Sequence, residues 1–341
     1  MQWFQITSLI VVTKMNPNEI LNESGQDTPR IEYFPVSFFS VIMGLSGFTL
    51  AWKGADNLFF HNSAIWLCLA YVTSISMAVI SIIYAIKIWR YPGAVLEEVR
   101  HPVRINFFPA FSISLLLLSV VWQQEIMVAT TLWGIGSALQ IALTLYVMSS
   151  WIHHTHYTLS HANPSWFIPV VGNIIVPITG SQLGYTELSW FCFSIGIVFW
   201  IVLLTIIMYR LFFHEPLPAR MTPMLFILLA PPSVGFVSYI GMVGELDVFA
   251  RIIYYMALFL GLLLAMNIFR FLKVPFFISS WAYSFPLAAL TIATMKMTHL
   301  TSSLFFQALS GVLLCLLTVL LSWLVVRTVK AVFAAELCRP E

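Results

Sequence analysis

The stretch WIHHTHYTLSH brings four imidazoles, His153, His154, His156 and His161, into one short segment. Imidazoles at i and i+3 meet on one face of a helix, where they can hold a metal or a haem iron. No carboxylate or cysteine joins them, so the segment reads better as a solvated loop, with a membrane haem or metal oxidoreductase as the remote alternative. A second candidate is WAYSFPLAAL, residues 281–290, where Phe285 and Pro286 fall inside a run otherwise apolar enough for a membrane helix. Proline removes a backbone donor and costs roughly 3 kcal/mol in a helix interior. A bulky ring beside it can close a narrow path sterically and by dewetting it. The chain carries no Gly-rich phosphate loop, no nucleophile–base pair and no nucleic-acid motif, which leaves no sign of an enzyme or an ATP-driven pump.

These residues must be positioned by a chain of 341 residues that is 60% hydrophobic and 9% charged. Soluble domains carry charge at about a quarter of their positions, so an ordinary globular protein is excluded. Ten stretches are apolar enough to cross a ~30 Å hydrocarbon core: 33–52, 64–87, 105–122, 126–152, 165–182, 187–210, 222–243, 247–270, 275–295 and 301–326. The expectation is an all-α polytopic membrane protein, with a tail over 1–32, a ten-helix domain over 33–332 and a second tail over 333–341. The apolar run in MQWFQITSLIVVTKM has neither a basic region before it nor a small-residue cleavage site, so a surface or unstructured tail is expected rather than a removable signal peptide. Cys68, Cys192, Cys315 and Cys338 lack metal-ligand spacing and imply no disulfide framework.

Ten spans put both termini on one side, and that side carries all of the sixteen Lys and Arg except Lys53, Arg251 and Lys296. By the positive-inside rule both termini are cytoplasmic, in an inner (plasma) membrane. Proline is equally segregated. Pro35, Pro109, Pro169, Pro177, Pro223, Pro231, Pro232, Pro275 and Pro286 all fall on odd-numbered spans, and the even-numbered spans have none. A broken backbone ladder is tolerated where it faces protein or a water-filled cavity and not where it faces lipid. Odd spans, kinked at Pro35, Pro109, Pro169, Pro231 and Pro286, are therefore expected inside and even spans outside. The odd spans recur roughly every 57 residues, as a hairpin repeated five times would.

No Asp, Glu, Lys, Arg or His lies in the central part of any span. Intramembrane ionisable groups are the usual machinery of proton-coupled carriers, so their absence favours a passive path. Ser40, Gly44, Asn173, Ser233 and Ser284 are candidates to line it, each with helix packing as the plainer alternative. Phe285 is the candidate gate, and Phe107 and Phe108 a candidate second constriction. Arg100, Arg104 and Lys273 on the basic side would raise the local anion concentration.

Five segments, SFFSVIMGLSGFTLAW, EEVRHPVRINFF, NPSWFIPVVGN, LLAPPSVGFVSY and SSWAYSFPLAALTIAT, occur in order on the five odd spans. In them the chain resembles the tellurite-resistance TehA and C4-dicarboxylate transporter family, which includes the plant guard-cell slow anion channels. The resemblance covers residues 33–330 and implies five hairpins in quasi-fivefold order, a pore in each protomer, a homotrimer, and Phe285 as the plug. Pro286 stands where bacterial members have glycine, as in plant-like members. Chloride, nitrate, C4-dicarboxylates and tellurite are the implied cargo, with no cofactor and no nucleic acid. The alternative is a proton-coupled C4-dicarboxylate (malate) carrier.

Overall fold

The computed structural model describes residues 31–60, 64–153, 158–334 and 337–338; the first tail, apart from its last two residues, and most of the second lie outside the described residues. Regular structure among the described residues is helical, with no strand. The α-helices are α1 (Phe39–Ala55), α2 (Ile65–Arg90), α3 (Pro92–Arg100), α4 (Pro109–Val121), α5 (Ile126–His153), α6 (Phe167–Val171), α7 (Val176–Gly180), α8 (Thr186–Phe213), α9 (Ala230–Val243), α10 (Val248–Met266), α11 (Ile268–Phe271), α12 (Ser284–Thr301) and α13 (Leu304–Phe333). Among the described residues, eight helical segments are long and apolar enough to cross a membrane. The fifth expected span, Pro164–Gly180, is shorter because the turn Gly172–Ile175 breaks it. The ninth, α12, is less apolar because it carries Thr291, Thr294, Thr298, Thr301, Lys296 and His299.

In the odd spans a 3-10 stretch gives way to α-helix: Val36–Phe38 before α1, Arg104–Phe107 before α4, Gly172–Ile175 before α7, Ala219–Leu229 before α9 and Ile278–Tyr283 before α12. Proline sits at the changeover. Pro109 opens α4, Pro177 and Pro231 are second in α7 and α9, and Pro286 is third in α12. In a first turn the missing N–H has no intrahelical partner to lose, and proline's fixed φ suits the helix. The prolines expected to kink helices from within therefore start them instead, with Pro35 as the N-cap of Val36–Phe38 and Pro169 inside the short α6. Pro286 lies at depth because α12 begins there.

α1 packs on α4 and α12, α9 packs on α12 and α7, and α4 packs on α6, α7 and the Gly172–Ile175 turn. Each even span packs on the odd segment before it: α2 on α1, α5 on α4, α8 on α6 and α7, α10 on α9, and α13 on α12. The first, third and seventh spans are 61%, 72% and 67% buried, against 17% to 39% for the even spans. Exposed apolar side chains such as Ile75, Ile82, Leu145 and Val319 cover the outer helices, as a lipid-facing surface requires. The α1–α12 contact depends on glycine. A Cβ at Gly44 would lie 2.1 Å from Ser284 Oγ, and one at Gly47 would lie 2.8 Å from Ala288 Cβ, so small residues set the approach of the two backbones.

The start of the first span is fixed by buried charge. Lys87 Nζ, at the end of α2, lies 3.2 Å from Glu98 Oε2 on α3, and both side chains are only 2% exposed. Lys87 also donates to the Phe34 carbonyl (2.9 Å), Tyr84 OH donates to Glu98 Oε2 (2.8 Å), and the Val36 N–H donates to Glu98 Oε1 (3.2 Å). That last bond occupies one of the N–H groups a helix start leaves unpaired. At the opposite end, Asp247 caps α10 by accepting the Ala250 N–H (2.8 Å) and the Tyr239 hydroxyl (2.5 Å). The Ala250 bond and then the Tyr239 bond hold its carboxyl below the usual range.

Candidate functional site

A narrow cavity of about 60 Å³ lies among the odd spans. Every odd span reaches it: Ser40 and Met43 from α1, Phe107 and Ile113 from the third span, Phe167, Val171 and Ile175 from the fifth, Ile227, Pro231 and Val234 from the seventh, and Trp281, Phe285 and Pro286 from the ninth. None of its lining residues comes from an even span. Ser40 supplies the one hydroxyl among them and no lining side chain is charged, so the wall offers an anion neither a salt bridge nor a strong hydrogen-bonding cage. Such a wall cannot trap an ion. It also stays dry when narrow, which is what closure by dewetting needs.

Phe285 is 9% exposed and lies on this wall, in the first turn of α12. Its Cδ2 would be 3.3 Å from a Cβ at Gly47, so α1 leaves the ring space by carrying no side chain there. Just before it, Trp281 Nε1 donates to Thr328 Oγ1 (2.9 Å) and ties the Ile278–Tyr283 stretch to outer helix α13. Phe107 lines the same cavity, whereas Phe108 turns away, its ring 6.5 Å from that of Tyr84. Pro231 and Pro286 line it; Pro35, Pro109 and Pro169 do not.

Of the five small or polar residues expected along the lumen, Ser40 alone lines the cavity. Gly44 faces Ser284. Ser233 donates to the Leu229 carbonyl (2.8 Å), Ser284 to the Trp281 carbonyl (2.5 Å), and Asn173 Nδ2 to Thr144 Oγ1 (2.8 Å) and the Val170 carbonyl (2.9 Å). In a medium without water a hydroxyl can satisfy itself on its own helix, so it needs no lumen to be tolerated at that depth.

Two polar residues of an even span do the comparable work for the broken fifth span. Gln140 and Thr144, buried on α5, both reach the Pro169 carbonyl, at 2.8 and 2.6 Å, and Gln140 Oε1 accepts the Ser112 hydroxyl (2.7 Å). A lone amide within an otherwise apolar span is the sequence signal that points to Gln140. Gln140→Leu is expected to lower stability by about 1–3 kcal/mol, because two buried partners lose a bond. The check is a lower melting temperature in detergent than for the wild type.

Arg104 opens the 3-10 stretch that ends at cavity-lining Phe107, while Arg100 and Lys273 are exposed near the same ends of the third and ninth spans. His154 and His156 lie outside the described residues. His153 Nδ1 lies 2.9 Å from the Ser149 carbonyl and His161 caps a local turn at Thr158, so each has a local partner. Among the described residues no three His, Cys, Asp or Glu are grouped as metal ligands.

Residues 33–329 match the family described as SLAC1, voltage-dependent anion channel. The chain is 30% identical over 323 residues to the S-type anion channel SLAH3 of Arabidopsis thaliana, an alignment covering 92% of this chain and 51% of that protein. It is 26% identical over 337 residues to the guard cell S-type anion channel SLAC1 of the same plant, covering 94% and 60%. It is 26% identical over 269 residues to the tellurite resistance protein TehA homolog of Haemophilus influenzae, covering 78% and 81%. The chain thus spans between about half and three fifths of the length of these plant relatives.

Proposed function

The chain belongs to the SLAC1 voltage-dependent anion channel family, a family of multi-pass membrane proteins and not of enzymes, and we propose that it passes small anions down their gradient through a pore of its own, closed by Phe285. The observation that carries this reading is the apolar, uncharged cavity lined by all five odd spans, with the Phe285 ring on its wall. Five hairpins in quasi-fivefold order place α1, α4, the α6–α7 segment, α9 and α12 around that axis, and the mutual contacts of these helices support the arrangement. Opening moves the ring off the axis or shifts the start of α12, with Phe107 as a second narrow point. Arg100, Arg104 and Lys273 raise the anion concentration at the cytoplasmic mouth, both termini being cytoplasmic in the plasma membrane. The protein works as a homotrimer with one path per protomer. Its cargo is chloride and nitrate first, with C4-dicarboxylates and tellurite as larger candidates.

A proton-coupled carrier needs a group that binds and releases a proton along the path, and the cavity wall supplies none. Malate, chloride and nitrate fluxes in proteoliposomes are therefore expected to be unchanged when a pH gradient of two units is imposed at constant membrane potential. Malate uptake that rises several-fold with an inward proton gradient would instead establish the carrier.

A further inference from the structure

Phe285 and Lys296 both lie on α12, eleven residues apart. At 100° and 1.5 Å per residue that spacing brings the two side chains to within about 20° of the same face, with Lys296 about 16 Å further along. The helix face that presents Phe285 to the cavity therefore presents Lys296 beyond it, towards the end opposite Arg104. Lys296 is half-buried, and among the described residues it makes no ion pair or hydrogen bond.

The neighbouring inner spans end at the same level. A Cβ at Gly54 would lie 2.9 Å from Met295 Sδ, and the adjacent Lys53 donates to the Val121 carbonyl (3.0 Å) at the end of α4. Just past that carbonyl, Gln123 Nε2 is buried without a partner. Ser181, the C-cap of α7, likewise has a buried hydroxyl without a partner, 3.9 Å from where a Gly241 Cβ would lie. One end of the third, fifth and ninth spans thus carries an amide N–H, a hydroxyl and an ammonium group, all lacking acceptors among the described residues. Buried donors without acceptors are costly, and an anion gathered at this end is the ligand that can accept from them.

We infer that Lys296, with Gln123 and Ser181, forms an outer binding site for a small monovalent anion on the far side of the Phe285 closure. The site rests on the pore reading above and deepens it. It gives the path an attracting charge on the outer side to match Arg104 on the inner, so ions gather outside the dry segment and not within it. Lys53 does not serve here, because its amine is engaged by the Val121 carbonyl and lies 4.9 Å over the Trp66 ring.

The test uses the full chain with Phe285→Ala in planar bilayers, varying chloride or nitrate on each side separately. Lys296→Gln is expected to raise the half-saturating concentration on one side alone by about fivefold, as the loss of one charge near a protein surface implies. Lys296→Arg should restore it. If Lys296→Gln aggregates on size exclusion, Ser181→Ala and Gln123→Leu serve the same measurement and should raise the same one-sided value. An unchanged half-saturation on both sides, in variants that conduct normally, overturns the site and leaves the pore; Lys296 is then a lipid-interface anchor with its amine in water. No current through Phe285→Ala overturns the pore reading, and the site with it.

Discussion

Phe285→Ala is expected to raise chloride and nitrate conductance at least about tenfold over a nearly silent wild type. The ring lies on the wall of an apolar cavity at the first turn of α12, and lowering a barrier by only ~1.4 kcal/mol already changes a rate by a factor of ten. Size should grade the effect. Phe285→Leu keeps part of the obstruction and should conduct between wild type and alanine, while Phe285→Trp should stay closed. Truncating a buried phenylalanine usually costs about 3–5 kcal/mol, but the cavity beside Phe285 means that part of its surroundings is empty already. The variant should therefore still elute as folded protein, and flux measured on that fraction separates gating from damage. A folded alanine variant as silent as wild type would remove Phe285 from the gate.

The second large effect is expected at Glu98, whose loss leaves Lys87 charged and buried. Glu98→Ala should destabilise the protein by about 3–5 kcal/mol, the usual consequence of breaking a buried pair by removing one partner. It also frees the Val36 N–H and the Tyr84 hydroxyl. The pair itself need not contribute net stability, since well-packed apolar groups of similar volume often do as well. The double variant Lys87→Met with Glu98→Leu should therefore recover much of the loss, and a thermal-denaturation cycle measures the coupling. Two singles and a double that simply add would show that the two groups act independently. Because the pair anchors Phe34 and Val36 just ahead of Ser40 and Met43, the double variant should also alter conductance when combined with Phe285→Ala.

Backbone chemistry made the inner and outer helices legible in the sequence. Proline has a single physical meaning in a lipid environment, so its confinement to alternate spans separated buried helices from exposed ones. The position of proline within each span was less legible, because the sequence does not reveal that a 3-10 stretch comes first and that α12 restarts close to Pro286. Phe285 stood out because its ring stands beside a proline in a segment that resembles the family's pore helix; a phenylalanine alone would read as core. The serines misled for a definite reason. Hydroxyls at membrane depth bond back to their own helix, as Ser233 and Ser284 do, and such a serine has the same sequence signature as one that faces a lumen. Gln140 and the Lys87–Glu98 pair were hidden differently. Each gains its meaning from a partner far away in sequence, Pro169 for Gln140 and Val36 for Glu98, and only packing brings those together.

The most direct measurement is of unitary currents from Phe285→Ala in a planar bilayer with unequal chloride on the two sides. Passive flow through a pore within the protein gives resolved openings whose reversal voltage follows the chloride gradient and ignores an imposed pH gradient. Folded protein that gives no openings, or currents whose reversal follows the proton gradient, would contradict a gated anion path closed by this ring.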